Sequence, residues 1–246
     1  MKRLLRIQYA SNLHLEHYDK VAFQPILKPV APILALAGNL GEPGRRAYRD
    51  LFHYCSRNWD HVFVVAGDQE LKHPYRTADD QMAICKAITA EWPNVHFLNR
   101  TRVDREGLTF LGVPLIQKIA DRKWIRAELS ECKGPTVILT HQLPVRDLMS
   151  DGMDYECVTD CTEFIKPPVV ALISGLATAS RQVFWVAPDL TLVAGGVNPY
   201  DGTNYCRERV IEVGAGAGFD CGPALQSRAS PEQNSPTAQK QSDAYA

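Results

Sequence analysis

The chain has 246 residues, 45% of them hydrophobic, and 27 Lys and Arg against 28 Asp and Glu leave a net charge of −1. This length suits one large α/β domain with a full core, while the balanced charge excludes a global field that would gather phosphate backbones, so nucleic acid is not implied. No stretch approaches the ~18 apolar residues of a membrane span, and the opening MKRLLRIQYA, interrupted by Arg6, is too short for a secretory core.

Apolar runs of strand length recur in chain order, beginning with LLRIQY and PILALA. They are continuous rather than alternating, as expected of strands covered on both faces. Arg45 to Arg57 then places Ala47, Leu51, Tyr54 and Cys55 at i, i+4, i+7 and i+8, the stripe of an amphipathic helix. After the strand run HVFVVA, Thr77 and Asp80 form a capping-box pattern that opens a helix reaching Trp92, with Cys85, Ile88 and Trp92 on its apolar face. Arg100, Arg102 and Arg105 form a local basic cluster, expected in a solvated loop between strands. LTFLG, a third helix from Asp121 to Cys132, TVILT, VVALIS, TLVAG and RVIEV follow. The alternation predicts a single layered α/β domain over residues 1–221, with mixed sheets packed between helices.

Seven cysteines without CxxC spacing are expected as reduced intracellular thiols in a soluble protein. Cys157 and Cys161 would share a helix face at i, i+4, where packing is favoured over metal ligation. GAGAGFDCG follows the last strand run but opens no helix, so it is expected as a flexible exit rather than a phosphate loop. The tail over residues 222–246, rich in Ser, Gln, Ala and Pro, offers little to bury and is expected to be disordered.

Five apolar runs end in short polar words: YASNLH, LAGNLG, VAGDQE, LTHQLP and ISGLATAS. Because the carboxyl ends of strands in an α/β sheet face a common crevice, Asn12, His14, Asn39, Asp68, Gln69, His141, Leu176 and Thr178 should converge. Any one word alone reads as a turn after a strand, with Asn or Asp favouring the turn backbone.

In order and shape these words resemble the calcineurin-like metallophosphoesterases, two-metal phosphate-ester hydrolases whose signature runs D-x-H, G-D, G-N-H-[DE], a block with a metal-binding His, and G-H-x-H. The resemblance covers about residues 6 to 213, including NPYDG at Asn198 to Gly202. It implies a metallophosphoesterase-like fold. Carried over position by position, the first Asp becomes Asn12 while His14 is kept. The bridging Asp becomes Asn39, the metal-binding Asn becomes Asp68 and the catalytic His becomes Gln69. Glu70, His141 and Gly175 are kept, Gln142 stands where many members have a second His, and the last two histidines become Leu176 and Thr178.

Two divalent ions about 3.5–4 Å apart repel by on the order of 20 kcal/mol at an effective dielectric of 20, and a bridging carboxylate helps to offset this. A neutral amide at Asn39 does not, and Gln69 cannot donate a proton as an imidazolium does. The expectation is therefore a degenerate, catalytically inactive family member, kept as a structural, scaffolding or protein-interaction subunit of a larger assembly, with no cofactor. Two alternatives stand beside it. One is a weak phosphoesterase using a single zinc or manganese ion held by Asp68 and His141 with His14 nearby; the other is a metal-free module that binds a small phosphate-like anion.

Overall fold

The computed structural model describes residues 4–18, 20–149, 155–176, 185–187, 190–192 and 208–214. Two sheets dominate it. The first contains β1 (Leu4–Ala10), β2 (Ile33–Ala37), β3 (His61–Val65), β4 (Val95–Phe97) and β11 (Val210–Gly214) in the order β11-β1-β2-β3-β4. The second is ordered β5-β6-β7-β8, from β5 (Thr101–Arg105), β6 (Leu108–Val113), β7 (Thr136–Thr140) and β8 (Val169–Ile173). β1 to β4 run parallel, as do β6 to β8, while β11 and β5 add antiparallel edges. A separate antiparallel pair joins β9 (Trp185–Ala187) to β10 (Leu190–Leu192).

The continuous apolar runs have a direct explanation in this arrangement. Along β2, Ile33, Ala35 and Ala37 point into the cluster between the two sheets, whereas Leu34 and Leu36 point outward under α1 (Arg46–Asn58) and α3 (Ala78–Thr89). The second sheet repeats the pattern: Phe110 and Val137 face inward, and Leu111 and Ile138 pack beneath α4 (Lys118–Glu131). Side chains alternate along a strand, so a strand with a layer on each side has no polar face. The result is one domain of helix, sheet, sheet and helix layers. Phe63 of β3 and Phe110 of β6 stack across the inter-sheet core with centroids 3.8 Å apart.

The three helices fall within a few residues of their predicted positions. The Thr77 hydroxyl accepts from Asp80 N, and Asp80 accepts from Thr77 N, completing the predicted capping box. Two expectations are corrected. Arg102 and Arg105 lie on β5, an edge strand, because the hairpin turn at Glu106–Gly107, with both residues at positive φ, folds the chain straight back along β6. Arg100 pairs with Asp121 at 2.8 Å. Cys157 and Cys161 do not share a helix: they belong to two separate turns, with Cys157 ending Tyr155–Cys157 and Cys161 preceding Thr162–Phe164. Cys161 packs in the outer core beneath α4, where burial pushes its thiol up to about 12. All five described cysteines are free. Thr178, Asn198–Gly202 and the tail lie outside the described residues.

Candidate strand-end site

The strands of the two sheets deliver the polar words to one place. At the end of β1, Asn12 turns the chain at φ 53, and at the end of β2, Asn39 does so at φ 54. Asn tolerates this left-handed region better than most residues, which is a backbone reason for an amide at both positions. The first two loops are then tied together, Asn12 N donating to Gly38 O at 3.0 Å and His14 N to Asn39 O at 3.1 Å. The β8 end joins them: Ser11 Oγ and Asn12 Nδ2 both donate to Gly175 O, at 2.9 and 2.8 Å. From the β7 end, His141 O accepts from the backbone N–H groups of Gly175 and Leu176.

Glu70 holds the centre of this arrangement. It lies in α2 (Asp68–Leu71), a single turn that follows β3, and is fully buried. Its Oε2 accepts from Asn39 N at 3.0 Å and Gly67 N at 2.8 Å, and its Oε1 from Leu40 N at 2.6 Å. Burial pushes its carboxyl above the usual range, against the opposing pull of these N–H groups. One carboxylate therefore clasps the loops after β2 and β3. Close approach makes the clasp possible: Gly38 has φ +83, and a Cβ there would sit 2.6 Å from both Gly67 N and His141 Nδ1.

His141 is completely buried and its Nδ1 lies 2.8 Å from Ala37 O. A carbonyl only accepts, so Nδ1 carries a proton and Nε2 is directed elsewhere. Nε2 lies 3.6 Å from Asp68 Oδ2 and has no hydrogen-bond partner among the described residues. The His141 imidazole holds the Asp68 carboxyl below its usual range, against the desolvation of that half-buried group. Asn39 Oδ1 accepts from Gln69 N at 3.0 Å, so this amide oxygen already serves the backbone.

The structure thus brings together Asn12, Asn39, Asp68, Gln69, His141 and Leu176. His14 follows a different course: its Nδ1 lies 2.9 Å from Glu16 Oε1 and its ring stacks on His17. Among the described residues, the single group of three or more His, Cys, Asp or Glu side chains with ligand atoms within 4.8 Å of one another is His14, Glu16 and His17. Asp68 and His141 remain a pair. Sequence reasoning stopped at His14 and missed Glu16 and His17, although the spacing H-x-E-H is contiguous in YASNLHLEH. It also left unstated that Glu70 is a clasp, because that role depends on the N–H groups of Asn39 and Leu40, 31 and 30 residues away in the chain.

No protein-family model matches the chain. It is 30% identical over 133 residues to uncharacterized protein L509 of Acanthamoeba polyphaga mimivirus, a match covering 49% of this chain and 47% of that protein, so the chain spans about half the length of the curated relative it matches. Among solved structures it resembles a phosphopantetheinyl hydrolase from Mycobacterium tuberculosis, at 16% identity and a TM-score of 0.52 over 77% of this chain and 89% of the other. A second crystal structure superposes with a TM-score of 0.56 at 12% identity, over 87% of this chain and 95% of the other. At these identities the likeness is one of architecture: the chain has a metallophosphoesterase-like α/β fold. Among the described residues no helix is long and apolar enough to cross a membrane.

Proposed function

We propose that this protein is a catalytically inactive member of the metallophosphoesterase-like fold, acting as a structural or protein-interaction subunit of a larger assembly. The observation that carries this reading is the state of Asn39. A two-ion centre needs an anionic bridge between its metals, and here a neutral amide stands at that position with its oxygen accepting from Gln69 N at 3.0 Å. Leu176, which offers no donor side chain, and Gln69, which is not a proton donor of imidazolium strength, point the same way. The donor set therefore does not fit a pair of divalent ions. Asn12, Asn39, Glu70 and His141 Nδ1 bond the main chain of the crevice's loops, as expected of a site retained for its architecture.

The pairing of His141 Nε2 with Asp68 favours one rival, a weak phosphoesterase with a single ion. Two protein donors fall short of the three or four that a stable zinc site generally requires. The test is turnover of a generic phosphodiester with zinc or manganese supplied, alongside size-exclusion chromatography of the native full chain. Background turnover together with elution in a defined complex supports the proposal. A metal-dependent rate that His141→Ala abolishes overturns it in favour of the single-ion enzyme.

A further inference from the structure

We propose that the turn leaving β1 is a zinc site, built from His14, Glu16 and His17 and separate from the strand-end crevice. The turn is a single 3-10 turn, Leu15–His17, preceded by His14 in the left-handed region at φ 48 and ψ 47. Residues three apart eclipse in a 3-10 turn, which puts the rings of His14 and His17 on one side, stacked with centroids 6.1 Å apart and planes at 28°. Glu16 reaches between them: Oε1 lies 2.9 Å from His14 Nδ1 and 3.7 Å from His17 Nε2. Ligand atoms about 2.0–2.1 Å from a tetrahedral zinc are separated by about 3.3 Å, so small side-chain adjustments would bring all three onto one ion.

A second observation points to a ligand. Glu16 Oε2 is buried and has no hydrogen-bond partner among the described residues, and the Glu16 side chain is 14% exposed. An ion pair with His14 accounts for Oε1 alone, whereas a cation bound by the carboxylate would also compensate the charge that Oε2 shares. The scaffold is rigid: Leu15 is fully buried, His14 N and Leu15 N donate to Asn39 O and Leu40 O, and His17 N returns to His14 O. Two imidazoles and one carboxylate are a zinc-type donor set with a fourth position left for water. His17, with 69% of its side chain exposed, leaves that position open to solvent.

The site is independent of the scaffolding proposal and shares no residue with those on which it rests. The metal-stripped full chain is titrated with zinc by calorimetry and with cobalt(II) by visible spectroscopy, with thermal stability followed in parallel. The expected result is one ion per chain, tetrahedral cobalt bands, and a zinc-dependent rise in melting temperature. Glu16→Gln and His17→Ala should each weaken zinc binding at least ~10-fold, about 1.4 kcal/mol, with an unchanged circular dichroism spectrum. Asp68→Ala should bind as the wild type does. No binding at about 0.1 mM zinc, which places any Kd above that range, overturns the proposal. So does binding that survives both turn substitutions or is lost in Asp68→Ala, since the ion would then sit in the crevice.

Discussion

The strand-end crevice and the turn after β1 draw on the same kinds of side chain and use them in opposite ways. In the crevice a buried carboxylate, Glu70, faces backbone N–H groups, and His141 donates to a backbone carbonyl, so polar side chains hold main chain to main chain. In the turn the main chain is already satisfied by the neighbouring loop, and His14, Glu16 and His17 are left to face one another. What separates structural from ligand-binding polarity in this molecule is the identity of the partner, rather than residue type.

The largest effect should come from breaking the clasp. Glu70→Ala strands three buried N–H groups and should lower stability by on the order of 4 kcal/mol in denaturant titration. Glu70→Gln, which keeps one acceptor oxygen, should lose about half of that. If Glu70→Ala costs less than a surface substitution does, the crevice is not held by side chains and the comparison fails.

Asn39→Asp tests the crevice from the catalytic side. The new carboxylate would lie beside Glu70 in a buried setting and should destabilise the fold by about 1–2 kcal/mol. Phosphodiester hydrolysis should stay at background, because Gln69 and Leu176 are unchanged; a measurable metal-dependent rate would end the inactive reading.

A second histidine pair shows what a carboxylate contributes. His61 and His96 approach to 3.5 Å, and among the described residues no carboxylate shapes the environment of His96. Burial, reinforced by Arg105 and His61, holds His96 down to about 4 from an ordinary 6.5. The unfolded chain takes up this proton before the folded one, so the stability contribution is fully present above pH 6.5 and is lost as pH falls toward about 4. His96 is only partly buried, and solvent screening reduces the loss to on the order of 1 kcal/mol. His96→Gln should flatten the stability profile across that window; an unchanged slope would assign it to other groups.

The smallest effect belongs to the turn without metal. His17→Ala should change the stability of the zinc-free protein by less than about 0.5 kcal/mol, since exposed ion pairs contribute little. A larger loss by thermal melting would mean that the turn is held by His17 itself, as the crevice is by Glu70.

The sequence by itself determined the layers. Continuous apolar runs at PILALA, HVFVVA and TVILT fit strands covered on both sides, and the stripe at Ala47, Leu51 and Cys55, part of a longer helical pattern, fits a helix lying on one of them. It also brought the polar words to a common end of the sheets, because direction within parallel strands follows from short helical connections. The edges needed tertiary structure. β5 is a charged strand, burying little, and its pairing with β6 depends on the hairpin turn rather than on hydrophobic pattern. Cys157 and Cys161 were misplaced for a related reason: helical spacing is compatible with one helix or with two short turns, and only packing beneath α4 decides between them. The roles of Glu70 and Glu16 likewise lay beyond local reading. Each is an acid a few residues after a strand; the N–H partners of Glu70 at Asn39 and Leu40 are hidden by sequence separation, whereas the imidazoles beside Glu16 adjoin it in sequence and only the turn sets their rings against its carboxylate.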